Sequence, residues 1–108
     1  MNKAKIGRKW INQDADSLFR AILKLNNLSE AQRFFRDLLT EKEILEFAQR
    51  WKVAKMLFAG KAYADIEKET GMSSTTIARI HRWLKKGTGG YKSMIKKQKY
   101  EPENFSKK

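Results

Sequence analysis

The stretch running from Gly60 to Lys86, GKAYADIEKETGMSSTTIARIHRWLKK, decides how the rest of the chain is read, because its spacing predicts a helix-turn-helix. A first helix is expected over roughly 62–69, with Tyr63 and Ile66 three residues apart on an inward face. A turn follows at Thr70-Gly71-Met72. Gly71 suits it because a sharp turn between such helices needs a positive φ, which glycine adopts without steric cost. Either Ser73 or Ser74 can accept the free N–H groups of the next helix's first turn, after which Ile77, Ile80 and Leu84 recur at helical spacing. Ser74, Thr75, Ala78, Arg79 and Arg82 are left on the other sides. An ordinary helical hairpin shares this pattern, but small polar residues followed by arginines suit an element that enters a major groove.

Composition favours that reading. The chain has 108 residues, the size of one domain, with 24 Lys+Arg against 12 Asp+Glu and a formal charge of +12. Such a bias attracts polyanions, nucleic acid first. Charged residues interrupt every apolar stretch, so no membrane partner is expected. The start MNKAKIGRKW lacks the apolar core and cleavage site of a signal peptide, and a cytoplasmic protein is expected. There is no cysteine and a single histidine, His81, which removes disulfides, thiolate chemistry and the usual zinc sites. No phosphate loop or nucleophile elbow is present, and no convergent set of nucleophile, base and oxyanion donors can be drawn. Neither an enzyme nor a metal or cofactor is expected. With one proline, at Pro102, the fold class is all-α.

The remaining elements follow in order. Residues 1–11, with Lys3, Lys5, Arg8 and Lys9, read as a basic flexible arm, 12–98 as a helical domain, and 99–108 as a frayed tail. Helix one is expected from Asn12 with Asp14 or Asp16 as its cap, carrying Leu18, Ile22 and Leu25 and ending near Asn26-Asn27. Ser29 with Gln32 forms a capping-box pattern for helix two. Thr40 with Glu43 repeats it for the longest helix, about 41–58, which Gly60 ends. Ile44, Leu45, Phe47, Ala48, Trp51, Ala54, Leu57 and Phe58 cover more than one side of that helix, so it needs more than one covering neighbour, and a second subunit could supply one. The Gly87-Thr88-Gly89-Gly90 cluster separates a last short helix bearing Tyr91, Met94 and Ile95. Trp51 and Trp83 are read as core or dimer-interface residues and His81 as a packing or hydrogen-bonding one.

The segments RFFRDLLTEKEILEFAQRWKVAKMLFAGKAYADI and EKETGMSSTTIARIHRWLKKG, with GTGGY after them, resemble the tryptophan repressor family, and within it the YerC/YecD-type relatives. The likeness spans about Ala15 to Ile95. It implies six helices and an intertwined homodimer whose helix-turn-helix pairs meet successive major grooves of an operator. Thr40, Arg50, Thr76 and Arg79 match positions that hold the amino acid in the repressor. Ile80 stands where the repressor has a glycine and Trp83 where it has a serine, so the room an indole needs is filled, and tryptophan is not expected as co-repressor. Arg50 and Arg79 could serve a different small-molecule effector, or contact phosphates and structural carboxylates.

The leading expectation is a sequence-specific, dimeric regulator of transcription on double-stranded DNA, acting as a repressor. Ser73, Ser74, Thr75, Ala78, Arg79 and Arg82 would face bases or phosphates, and Lys61, Lys85 and Lys86 would contact phosphates. The alternative is a nonspecific basic nucleic-acid-binding protein, compacting DNA or associated with RNA.

Overall fold

The computed structural model describes residues 9–99, which form six α-helices and no strands. They are α1 (Gln13–Ile22), α2 (Leu28–Leu38), α3 (Glu41–Phe58), α4 (Tyr63–Thr70), α5 (Ser74–Lys86) and α6 (Gly90–Lys99). Most of the basic arm and all but the first residue of the expected tail, 1–8 and 100–108, lie outside the described residues. The chain divides into two compact units, one up to Leu38 and one from Leu39 onward.

In the first unit neither helix has a fully buried residue. The α1 cap is Asn12, not Asp14 or Asp16: its backbone is extended and its side chain accepts the Ala15 N–H at 2.8 Å. A cap residue must precede the helical turn whose amides it satisfies, and both aspartates already lie inside that turn, at the positive end of the helix dipole. The helix also stops at Ile22, short of Asn26-Asn27, where Lys24 and Leu25 tighten into bonds to Ala21 and Ile22. Helix α2 begins before the expected Ser29–Gln32 box. The Asn27 side chain accepts the Glu30 N–H at 2.9 Å while the Glu30 carboxylate accepts the Asn26 N–H at 2.9 Å. Ser29 instead accepts from the Arg33 guanidinium at 2.7 Å. Asn27 and Glu30 have the spacing of a capping box two residues earlier, with the returning bond going to the Asn26 N–H instead of Asn27's own.

The second unit holds the core. The Thr40–Glu43 capping box forms as expected: the Thr40 hydroxyl accepts the Glu43 N–H at 3.1 Å and the Glu43 carboxylate accepts the Thr40 N–H at 3.0 Å. Helix α3 ends in a paired C-terminal lock, Gly60 N–H to Leu57 O and Lys61 N–H to Met56 O, with Gly60 at φ +88°. Only the second half of α3 buries side chains, Val53, Ala54, Met56 and Leu57. Ile66 of α4, Ile77, Ile80 and Leu84 of α5, and Ile95 of α6 close the core around it. Leu45 and Phe47, in the first half, stay 67% and 46% exposed. Trp83 is 44% exposed and so is not a core residue.

Candidate nucleic-acid interface

The helix-turn-helix is built as α4, a turn at Gly71, and α5. Gly71 takes φ +77°, the left-handed conformation the turn requires, and its N–H returns to Glu67 O. The turn is tied at two further points. Thr70 donates its hydroxyl to Ile66 O at 2.7 Å and accepts the Met72 N–H at 3.1 Å, while the Gln49 amide on α3 donates to Thr70 O at 3.1 Å. Lys52 and Glu69 pair across α3 and α4 at 3.5 Å, but both are about half exposed, so the pair contributes little. The Tyr63 hydroxyl and His81 Nδ1 lie 2.8 Å apart, joining α4 to α5, with their rings edge to face at 5.7 Å. That is the hydrogen-bonding role expected of His81.

Ser73, not Ser74, caps α5, its hydroxyl accepting the Thr76 N–H at 3.2 Å and donating to Thr76 Oγ1 at 3.1 Å. Ile77 and Ile80 are 0% exposed and Leu84 6%, which fixes the rotation of α5 about its axis. At 3.6 residues per turn, Thr75, Arg79, Arg82 and Lys86 fall on the line opposite that stripe. Ser74, Ala78 and Lys85 flank it on one side, Thr76 and Trp83 on the other. Ser73, Ser74, Thr75, Ala78, Arg79, Arg82, Lys85 and Lys86 are all exposed, as is Lys61 ahead of α4. From Ser73 to Lys99 the sequence carries eight Lys+Arg and no Asp or Glu. α4 is different, carrying Asp65, Glu67 and Glu69, so the positive potential is concentrated on α5 and α6. Such a surface can place guanidinium groups at guanine edges and ammonium groups at phosphates.

Of the residues suggested for a small ligand, three have partners within the chain, and Arg79 lies exposed on α5. Thr40 caps α3, Thr76 is held by Ser73, and the Arg50 guanidinium lies 5.5 Å from the Phe47 ring centre. Thr40 and Arg50 are ten residues apart on one helix, roughly 15 Å along its axis. Ile80 sits fully inside the core. The structure instead forms a groove that the periodicity did not reveal, lined by Trp51, Trp83, Gly87, Thr88, Gly90, Tyr91 and Met94. Burial raises the Tyr91 pKa above its ordinary value, an effect that Arg50 partly offsets. Three aromatics on three different helices leave no local signal of their meeting, which is why sequence spacing named them without bringing them together.

Comparison with known proteins follows the same architecture. The family described as Trp repressor protein matches residues 13–99. The Bacillus subtilis (strain 168) protein YerC, itself uncharacterized, is 45% identical over 100 residues, covering 92% of this chain and 96% of its own. A TrpR-like protein from Eubacterium eligens ATCC 27750 superposes with a TM-score of 0.81 at 41% identity, over 87% of this chain and 97% of its own. A structure from Staphylococcus aureus described as a candidate Trp repressor gives 0.78 at 41% identity, over 88% and 96%.

Proposed function

The chain belongs to the Trp repressor family, a family of DNA-binding regulators, and on that premise we propose that it is a sequence-specific repressor that reads the major groove as a homodimer. The observation that carries the proposal is the acid-free stripe Thr75, Arg79, Arg82 and Lys86, held outward by the burial of Ile77, Ile80 and Leu84 behind it. Thr75 and Ala78 are short enough to let the helix approach base edges, and Arg79 and Arg82 are long enough to reach them. Lys61, Lys85 and Lys86 supply phosphate contacts that set the register. Ser73 and Ser74 place the amino end of α5, with its exposed N–H groups, toward the backbone.

Dimerisation is supported by the apolar side chains left uncovered on α3 and the first unit: Leu45 at 67%, Phe47 at 46% and Leu23 at 82% exposure. A basic chain that leaves such residues in water gains by covering them, and a two-fold partner does so with the same surface. A dimer also presents two α5 helices, which matches a two-fold symmetric operator. Repression follows from occupying a promoter, in the cytoplasm, with no catalytic step. On this reading tryptophan is not the effector, because a branched Ile80 stands where the repressor has a glycine and Trp83 where it has a serine. No described helix is long and apolar enough to cross a membrane.

The charge of +12 also favours a second reading, nonspecific association with nucleic acid. Selection of bound duplexes from a random pool separates the two, with the winner and a scrambled control then titrated at two salt concentrations. A two-fold symmetric consensus held at least ~10³-fold tighter than the control is the expected result. Equal affinities that collapse together as salt rises would leave only the nonspecific reading.

A further inference from the structure

Helix α4 ends at Thr70, and a carbonyl at the end of a helix has no amide of its own helix to accept. The partner for Thr70 comes from α3: the half-buried Gln49 side chain donates to the Thr70 carbonyl at 3.1 Å. Gln49 reaches it because it lies one turn ahead of Val53, which is 0% exposed, and so on the face of α3 that packs into the core. From Thr70 the bonds continue residue by residue. Its hydroxyl donates to Ile66 O at 2.7 Å and accepts the Met72 N–H at 3.1 Å, and Met72 packs against the core. The next residue, Ser73, caps α5 by accepting the Thr76 N–H at 3.2 Å. A single side chain of α3 is thereby tied to the amino end of α5, where Ser74 and Thr75 stand exposed.

Gln49 also sits at the boundary within α3. Leu45 and Phe47, before it, stay 67% and 46% exposed, while Val53, Ala54, Met56 and Leu57, after it, are buried. It joins the half of the helix that is offered to a second subunit to the turn that aims α5. Aim matters because α5 has 13 residues and is therefore roughly 20 Å long. Rocking it by about 5° at its first turn carries its far end roughly 2 Å sideways, about half a base-pair step. We propose, resting on the reading of the chain as a dimeric DNA-binding regulator, that Gln49 is the positioning residue of the helix-turn-helix. By satisfying the last carbonyl of α4 it holds α4 and α5 at one angle to α3, and so sets the half-site spacing that the dimer accepts. An amide suits the task, since it donates without carrying a charge and does not titrate. Gln49 acts through Thr70 and needs no contact with DNA.

The test uses the full chain and Gln49→Met, which keeps an unbranched side chain of similar length but has no donor. Val53→Ala serves as a control that loosens the core and leaves the bond in place. Half-sites selected from a random pool by the wild type are set at a series of spacings and titrated beside a scrambled duplex at fixed salt. The wild type is expected to prefer one spacing. Gln49→Met should bind that spacing about tenfold or more weakly, because a dimer loses two such bonds, and should accept spacings one base pair longer or shorter about equally well. On scrambled DNA it should stay within about twofold of the wild type. Its amide exchange should quicken at Gly71 and Met72 and keep the wild-type rate at Ala54 and Ile80, so that only the turn is released. Val53→Ala should quicken the core amides and retain the spacing preference. An unchanged spacing preference in Gln49→Met overturns the proposal, as does equal loss on both duplexes. Exchange quickened throughout Gln49→Met, or a broadened preference in Val53→Ala, overturns it too, since general loosening would then suffice. A wild type that selects no two-fold consensus removes the regulator reading and the proposal together, whereas a wild type that does so beside an unaltered Gln49→Met removes the proposal alone.

Discussion

Replacing Ile80 by alanine tests the central packing claim, that α5 is oriented by residues wholly inside the core. Ile80 has no exposed surface, and the substitution removes three carbons from a site closed on all sides. At about 0.8 kcal/mol for each buried methylene or methyl, the transfer loss alone is roughly 2.4 kcal/mol. The vacated space adds to it, because α5 is pinned on either side by Ile77 and Leu84 and cannot collapse inward freely, which places the total at about 2–5 kcal/mol. A unit of this size holds only about 3–9 kcal/mol in all, so the loss is a large fraction of the whole. Urea titration followed by far-UV circular dichroism, at one fixed protein concentration because association adds to stability, would show the midpoint lowered by about 2 M. Arg82→Ala on the opposite face should move it by less than about 0.5 kcal/mol in free energy. An Ile80→Ala loss under about 1 kcal/mol would refute the reasoning, since the site would then have room to relax, and the argument that Ile80 excludes an indole would fall with it.

Three further expectations follow from the same geometry. Arg82→Ala should cost about 1–3 kcal/mol on the selected operator and less on scrambled DNA, measured by fluorescence anisotropy at fixed salt; equal losses on both would make Arg82 a phosphate contact. Gly71→Ala should cost about 1–2 kcal/mol, because φ +77° is strained for a side chain although the space is open, and Gly71→Asn should recover part of that loss in thermal melts. Gly87→Asn should show no such recovery over Gly87→Ala, since φ there is ordinary and the obstacle is the Trp83 carbonyl. Ser73→Ala should cost about 1 kcal/mol by removing the α5 cap, whereas Ser74→Ala should be nearly neutral by the same assay. Reversed values would move the cap to Ser74.

Periodicity reached furthest where short-range physics is decisive. The Thr40–Glu43 box, Gly60 and Gly71 are local devices, each defined by chemistry within a few residues, and the 41–58 helix and the turn before α5 emerge at the expected places. The buried stripe Ile77, Ile80 and Leu84 is likewise written in helical spacing, and with it the outward direction of Arg79 and Arg82. Where two local solutions competed, spacing alone misjudged them. Asn12, whose backbone is extended just before the first turn, displaced Asp14 and Asp16, and the Asn27 side chain took the Glu30 N–H where Ser29 with Gln32 had been expected to cap.

What the order of residues could not express is the division of α3 into a buried half and an exposed half. Its apolar residues recur almost evenly, yet Val53, Ala54, Met56 and Leu57 are covered by α4, α5 and α6 while Leu45 and Phe47 are not. The aromatic groove is of the same kind, since Trp51, Trp83 and Tyr91 come from helices that meet only in space. Caps, turns and helical faces are set by contacts within four or five residues and are legible along the chain. Which of those faces is covered depends on helices packing across long sequence separations, and that information exists only once the chain has folded.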